Sequence, residues 1–131
     1  MAIDRLTLHD FSVFRGVDLS FAKGINVFLG RNATGKTHVM KALYATVRAA
    51  GDEMSPSSLD ARLREKLARV FRPDDLSIGR LGHRRKGQRS ARVVLSSGRK
   101  VIDYSIYSKT SAVTKVTQTW SKVPTSVFLP S

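Results

Sequence analysis

Residues 25–47 read INVFLGRNATGKTHVMKALYATV, and this stretch decides what the rest of the chain can be. A short apolar run at 25–29 leads into the octet GRNATGKT, and apolar residues at helical spacing follow from Lys36. A strand, a loop and a helix in this order form the context that a phosphate-binding P-loop requires. The stretch therefore predicts a site for the phosphates of a nucleotide.

The residues of the octet suit this chemistry. Gly30 and Gly35 lack a Cβ, so the backbone can turn its N–H groups toward phosphate oxygens. Lys36 supplies a mobile ammonium group for the β- and γ-phosphates, and the Thr37 hydroxyl is an expected ligand of Mg²⁺. The alternative is a glycine-containing turn that matches by chance, which the flanking strand and helix disfavour. The predicted nucleotide-binding residues of the loop are Gly30, Arg31, Asn32, Ala33, Thr34, Gly35, Lys36 and Thr37.

Composition indicates a soluble globular chain of 131 residues, 41% of them hydrophobic and none of them cysteine. No apolar run approaches the roughly 20 residues that cross a bilayer, and the N-terminus lacks the form of a signal peptide. We therefore expect a cytoplasmic protein without a membrane partner. A single domain is expected over 1–131, with strands, P-loop and helix in 1–50 and a helix plus an antiparallel subsheet in 51–131.

The formal net charge of +13 favours a polyanionic partner. Residues 1–50 hold seven Lys or Arg against three acids, whereas residues 51–131 hold sixteen against seven. This pattern predicts that the second part contacts DNA or RNA. The alternative is a solvated basic hairpin that faces an acidic partner domain. The predicted contact residues are Arg80, Arg84, Arg85, Lys86, Arg89 and Arg92, and His83 lies in the same basic stretch.

Periodicity predicts the remaining elements. Helices are expected at 36–51, with Met40 in the core stripe, and at 59–71. Strands are expected at 3–8 continuing toward 11–14, at 17–21, 25–29, 89–95, 100–107 and 126–129, with a third antiparallel strand inside 108–122. Ser96 to Arg99 are expected to form the hairpin turn, and 74–81 a loop or short strand. The fold class predicted is α/β: a P-loop NTPase N-terminal lobe with a mixed sheet, whose central strands are 25–29 and 126–129, and an antiparallel subsheet.

Residues 6–45, LTLHDFSVFRGVDLSFAKGINVFLGRNATGKTHVMKALYA, resemble the N-terminal lobe of RecF-like and structural-maintenance-of-chromosomes (SMC)-like, cassette-type AAA ATPases. They are especially similar to the compact ATP-binding proteins related to overcoming-lysogenization-defect nucleases. The resemblance implies ATP with Mg²⁺, and it places Arg15 near the nucleotide. It also allows Phe14 to approach the adenine, although core packing is the preferred interpretation of Phe14. His38 is interpreted as a helix-face residue rather than a catalyst.

The chain departs from this family after Thr37. Hydrolysis in the family needs an apolar strand ending in Asp-Glu, a signature serine motif from a second subunit and a switch histidine, and none follows. The nearest candidate acid, Asp103, follows too short an apolar run and precedes Tyr104. We therefore assign no catalytic residue. We expect the first lobe of a longer ATPase, a truncated or split product or a segment cut at this boundary, that binds nucleotide without efficient turnover.

Three functions stay open at this point. The first is an ATP-binding lobe that works with a missing C-terminal lobe and a second ATPase subunit, in DNA repair or defence. The second is a basic nucleic-acid-binding module in which the nucleotide site is secondary. The third is a small self-contained P-loop kinase or NTPase, which would need an acidic metal ligand that the sequence does not make evident.

Overall fold

A layer of strands and a pair of helices make up most of the chain that the computed structural model describes, namely residues 3–12, 14–21, 35–51, 58–73, 77–82, 90–108 and 111–119. The strands are β1 (Arg5–Phe11), β2 (Phe14–Ser20), β3 (Ser90–Ser97), β4 (Lys100–Tyr107) and β5 (Val113–Gln118). The helices are α1 (Lys36–Gly51) and α2 (Leu59–Phe71), and a 3₁₀ turn covers Ile78–Leu81. The predicted α/β class is confirmed.

The described strands form one sheet in the order β2-β1-β3-β4-β5, and each neighbouring pair is antiparallel. β1 is paired on both sides, because Leu8 lies opposite Val17 of β2 and opposite Val93 of β3. The predicted antiparallel subsheet is therefore confirmed. The expected central strands at 25–29 and 126–129 lie outside the described residues.

Alternation along the strands gives this sheet one apolar face. Leu6 and Leu8 of β1 are fully buried, as are Val93 of β3 and Ile102 of β4. Successive side chains of a strand point to opposite faces, so the residues between them form a second face that is largely polar. Burying each large apolar side chain contributes about 1.5–3 kcal/mol, and α1 and α2 contribute to the same core cluster. The sheet thus has a core face and an open face.

Helix α1 meets the core mainly through small side chains. Met40, expected in the core stripe, is instead 38% exposed, and that prediction is wrong. The physical reason is rotation: adjacent residues of an α-helix differ by about 100°, which carries Met40 off the face that Val39 begins. The buried residues of this helix are Val39, Ala42, Ala45, Thr46, Val47, Ala49 and Ala50.

Helix α2 has the bounds that the sequence predicts. Leu63 and Leu67 are fully buried, and the other apolar residues of its stripe are partly buried against the same core. Arg72 ends the helix in a left-handed conformation, with φ of 48°, and donates its N–H to the carbonyl oxygen of Ala68 at 2.9 Å. Pro73 follows, and a proline cannot continue the helix.

Several predicted boundaries need correction. β2 begins at Phe14, before the predicted start at 17, and it ends at Ser20. β3 runs through Ser97, which pairs with Lys100, so the hairpin turn contains two residues and not four. Gly98 in that turn has φ of +60°, a value that residues with a Cβ rarely adopt.

The segment before β3 also differs from its prediction. Residues 78–81 form a 3₁₀ turn rather than a loop or short strand, because residues three apart in such a turn share one face and Ile78 and Leu81 are both buried. The third antiparallel strand expected inside 108–122 is confirmed as β5.

Candidate functional site

The predicted phosphate loop joins α1 at Gly35. This glycine has φ of 87°, and its carbonyl oxygen accepts the first helical hydrogen bond, from the N–H of Val39 at 3.1 Å. Lys36 is the first helical residue and Thr37 the second. The positive φ is a physical reason for a glycine at this position, since a Cβ would be strained there. The other predicted loop residues, 30–34, lie outside the described part of the chain.

The start of α1 favours a negatively charged ligand. The N–H groups of a first helical turn point away from the helix body, and the helix dipole places its positive end there. The first turn of α1 contains no acidic residue that would compete for this position. Lys36 adds a cation at the same end, and Thr37 is exposed. The described portion of the loop is therefore compatible with phosphate binding.

The other two residues considered for nucleotide contact, Arg15 and Phe14, lie on β2. Arg15 is exposed on β2, and its role beside a nucleotide stays a prediction. Phe14 is partly buried against the core, so the packing interpretation of this residue is confirmed. In the described part of the chain, no group of three or more His, Asp or Glu side chains could hold a metal ion. Thr37 accordingly stays a predicted ligand of Mg²⁺.

His38 follows Thr37 and makes contacts that the sequence does not reveal. Its Nδ1 is hydrogen-bonded to the hydroxyl of Ser12, in the turn between β1 and β2. Its ring also meets the Phe71 ring edge-on, with centroids 5.6 Å apart and planes at 79°. Burial, with a smaller effect of the nearby Lys41 ammonium, lowers the pKa of His38 below its ordinary value. The imidazole is therefore neutral at physiological pH.

Asp103, the nearest sequence candidate for a water-activating acid, has a different role. It lies within β4 and accepts two hydrogen bonds from Arg92 of β3, at 3.0 Å from Nε and 2.6 Å from Nη2. A bidentate pair of this kind holds a carboxylate in one orientation. Asp103 is thus a cross-strand partner on the open face of the sheet. The other acidic pair considered, Asp74 and Asp75, lies outside the described residues.

Only two of the six predicted polyanion contacts lie within the described residues. Arg80 is exposed in the 3₁₀ turn, and Arg92 is bound to Asp103, so the charge of Arg92 is compensated locally. The other four are Arg84, Arg85, Lys86 and Arg89, which the structure does not describe.

The open face of the sheet carries a second cross-strand pair. Arg5 of β1 binds both carboxylate oxygens of Asp18 of β2, with Nε 2.6 Å from Oδ1. This hydrogen bonding lowers the pKa of Asp18 below its ordinary value. Because each of these two ion pairs combines an arginine with an aspartate, this face is less basic than the net charge of the chain suggests. The Arg92–Asp103 pair, in contrast, lines a groove of about 440 Å³, together with His9, Asp10, Ser90, Ser105 and Lys115.

The sequence matches the family described as AAA domain over residues 5–125, which is nearly the whole chain. The chain belongs to the AAA domain family. The match includes both the β1–β2 hairpin and β5, so it covers every described helix and strand.

Curated relatives of this AAA domain are RecF proteins. The DNA replication and repair protein RecF of Streptococcus suis is 33% identical over 88 residues, which are 67% of this chain and 22% of that protein. RecF of Geobacillus kaustophilus is 34% identical over 70 residues, which are 53% of this chain and 19% of that protein. The chain thus spans about a fifth of the length of these relatives.

A solved structure supports the same fold. It is titled as structural biochemistry of ATP-driven dimerization and DNA-stimulated activation of SMC ATPases. It superposes with a TM-score of 0.59 and 20% identity, covering 85% of this chain and 66% of that one. The AAA domain therefore has the fold of the N-terminal lobe of an SMC ATPase head. Neither helix in the described ranges is long and apolar enough to span a membrane.

Proposed function

We propose that this chain is the ATP-binding lobe of a RecF- and SMC-like AAA ATPase, in which residues 30–37 hold the phosphates and Thr37 holds Mg²⁺. The observation that carries the proposal is Gly35, which has φ of 87° and directly precedes the first turn of α1. A left-handed glycine at the start of a helix suits a backbone that curls around an anion. Membership of the AAA domain family supports the same ligand.

The described residues fit a nucleotide in three respects. The first turn of α1 carries no acid, its second residue offers a hydroxyl, and its first residue offers an ammonium group. When bound, a Mg²⁺-nucleotide supplies the phosphoanhydride bond that the full ATPase breaks. The chain's own contribution is to bind and orient: Lys36 would neutralise the β- and γ-phosphates, and Thr37 would ligate the metal ion.

We infer that this chain alone binds ATP without efficient turnover. Hydrolysis requires a carboxylate that activates water, and the candidate Asp103 is already committed to Arg92. Ground-state binding without stabilisation of the transition state gives affinity but little rate. The proposed source of the missing groups is a C-terminal lobe together with a second ATPase subunit. Work in DNA repair or defence, a relation to overcoming-lysogenization-defect nucleases, and a cytoplasmic location stay predictions.

Titration of a fluorescent ATP analogue in the presence of Mg²⁺ tests the proposal. We expect Lys36→Ala to weaken binding by at least about tenfold, because one charged contact to phosphate is lost. Lys66→Ala is the matched control, since Lys66 lies on α2 and outside the loop. Equal affinity for the wild type and Lys36→Ala would remove the proposal. Steady-state turnover by this chain alone would instead support a self-contained NTPase.

A second candidate function is binding of DNA or RNA through the predicted contact residues, which are Arg80, Arg84, Arg85, Lys86, Arg89 and Arg92. The observation that favours it is the net charge of +13, most of which falls in residues 51–131. Contacts to phosphate backbone depend strongly on salt and do not read base sequence. We therefore expect affinity for a DNA or RNA oligonucleotide to fall steeply as salt rises and to survive Lys36→Ala. Absence of binding at low salt would exclude this function.

A further inference from the structure

One hydrogen bond connects the β1–β2 turn to the helix start that the proposed function assigns to the nucleotide. The hydroxyl of Ser12 and Nδ1 of His38 join the β1–β2 turn to the first turn of α1. The turn leads directly into β2, which carries Arg15, and the helical turn begins with Lys36 and Thr37. The contact therefore joins the start of α1, to which the proposed function assigns the nucleotide, to the turn that precedes Arg15, which is predicted to lie near the nucleotide.

Ser12 offers a fixed anchor for this contact. It has φ of 55°, and its backbone N–H is donated to the carbonyl oxygen of Leu81 in the 3₁₀ turn. The preceding Phe11 is fully buried and meets the Phe71 ring edge-on, with centroids 5.6 Å apart. Because the backbone of Ser12 is hydrogen-bonded and the neighbouring Phe11 is packed in the core, the Ser12 side chain has few alternative orientations.

His38 is held from the other side. Phe71, at the end of α2, contacts the His38 ring, and the Lys41 ammonium lies over the same phenyl ring at 5.8 Å from its centroid. The imidazole is thus positioned by one hydrogen bond and one aromatic contact.

We propose that His38 is a positioning residue of the nucleotide site, which acts with Ser12 to hold the first turn of α1 against the β1–β2 turn. The inference rests on the proposed function, because it assigns the pair a part in binding the same nucleotide. Contacts to phosphate depend on orientation. If the start of α1 moves relative to the β1–β2 turn, the contacts of Lys36 and Thr37 with the Mg²⁺-nucleotide therefore weaken together. Neither Ser12 nor His38 needs to touch the ligand.

A double-mutant cycle on nucleotide affinity tests this inference. Ser12→Ala and His38→Ala should each weaken binding of a fluorescent ATP analogue by about 3- to 10-fold, the range of one neutral hydrogen bond. The affinity of the double variant should be no lower than that of the single variant with the lower affinity, because both substitutions remove the same contact. His38→Asn places an amide near the position of Nδ1 and should recover most of the affinity. A purely structural role for the ring would not give this recovery.

Two controls make each outcome decisive. His9→Ala removes a histidine on the open face of the sheet and should leave the affinity unchanged. Lys36→Ala, measured alongside, separates the two proposals. If Lys36→Ala weakens binding while the Ser12 and His38 effects multiply independently, the inference fails and the proposed function stands. If Lys36→Ala has no effect, both fail.

Amide hydrogen exchange provides a readout that does not depend on the ligand. In His38→Ala, the amides of Val39 and Met40 should exchange faster, while those of α2 keep their wild-type protection. His38→Asn should restore slow exchange in the first turn of α1. Unchanged exchange at Val39 and Met40 in His38→Ala would overturn the inference, and faster exchange throughout the chain would assign His38 to general stability instead.

Discussion

Thr46 and Tyr104 are hydrogen-bonded through their hydroxyl groups in the middle of the core, with 2.8 Å between the two oxygens. Both side chains are fully buried, one on α1 and the other on β4. The Thr46 hydroxyl also donates to the carbonyl oxygen of Ala42 at 2.8 Å, so its oxygen accepts the hydrogen bond that the Tyr104 hydroxyl donates. Burial raises the pKa of Tyr104 far above its ordinary value, which keeps this phenol a donor.

This pair predicts an asymmetry between two conservative substitutions. Tyr104→Phe leaves Thr46 bonded to Ala42 and should lower the free energy of unfolding by about 1 kcal/mol. Thr46→Val leaves a buried phenol without its acceptor and should cost about 1–3 kcal/mol. Urea unfolding of both variants measures the difference. A smaller cost for Thr46→Val than for Tyr104→Phe would contradict the assigned direction of the bond.

Gly79 predicts a steric penalty. A Cβ built on this residue would lie 2.3 Å from the carbonyl oxygen of Ser108, which is backbone and cannot turn away. We expect Gly79→Ala to lower the free energy of unfolding by about 3 kcal/mol, as overpacking does in other cores. Gly16→Ala is the control, because nothing lies within 4 Å of its Cβ position. Similar unfolding midpoints for the two variants would exclude this packing.

Gly35 and Gly98 allow strain and ligand binding to be separated. Both have positive φ, 87° and 60°, so an alanine at either position should cost about 1–2 kcal/mol of stability. Only Gly35 belongs to the predicted phosphate loop. We therefore expect Gly35→Ala to weaken nucleotide binding and Gly98→Ala to leave it unchanged. Thermal unfolding and nucleotide titration measure the two effects, and equal losses of affinity would contradict the assignment.

The pH dependence of stability should report on His38. Its pKa is lowered from the ordinary 6.5, so the native state disfavours the charged ring. Its contribution is complete above the unfolded pKa, and it is lost as the pH falls below that value, because the unfolded chain takes up the proton first. Lys41 on the same helix acts in the same direction as burial. His38→Asn should therefore lose less stability than the wild type between about pH 7 and pH 5.

Urea unfolding at both pH values measures this difference. Equal pH dependence of the wild type and His38→Asn would mean that His38 titrates as it does in the unfolded chain.

The two cross-strand ion pairs predict how the affinity for DNA changes when an aspartate on the open face is neutralised. Asp103→Asn releases Arg92, a member of the predicted polyanion surface, and should strengthen DNA binding at low salt by about 2- to 5-fold. Asp18→Asn is the matched control, because it releases Arg5, which lies outside the predicted cluster. Fluorescence anisotropy with a labelled oligonucleotide measures both. An equal gain from both variants would indicate that total charge, and not position, sets the affinity.

The sequence predicts the regular elements well where local chemistry is unambiguous. Both ends of α2 follow from an apolar stripe with period near 3.6, a serine before it and a proline after it. β4 follows from the alternation of Ile102, Tyr104 and Ile106 with Asp103 and Ser105. The start of α1 follows from the loop that precedes it. In each case the residues that set the boundary are neighbours in the sequence.

Features that depend on distant residues are not predicted. Ser12 and His38 are 26 positions apart, and nothing in either neighbourhood indicates that they meet. Arg92 is assigned to a polyanion surface from its neighbours in sequence, whereas its carboxylate partner comes from the next strand. The core face of α1 is misjudged at Met40, because hydrophobicity alone does not distinguish a close helix contact made by alanines.

The strand order has a consequence for the way this protein folds. β1 lies between β2, which is its neighbour in sequence, and β3, which follows both helices. While a ribosome synthesises the chain, one edge of β1 therefore stays unpaired, and Leu8 lacks its partner Val93 until β3 is made. Pairing across so long a separation is slow, and until it forms the free edge of β1 is a template for pairing with another chain.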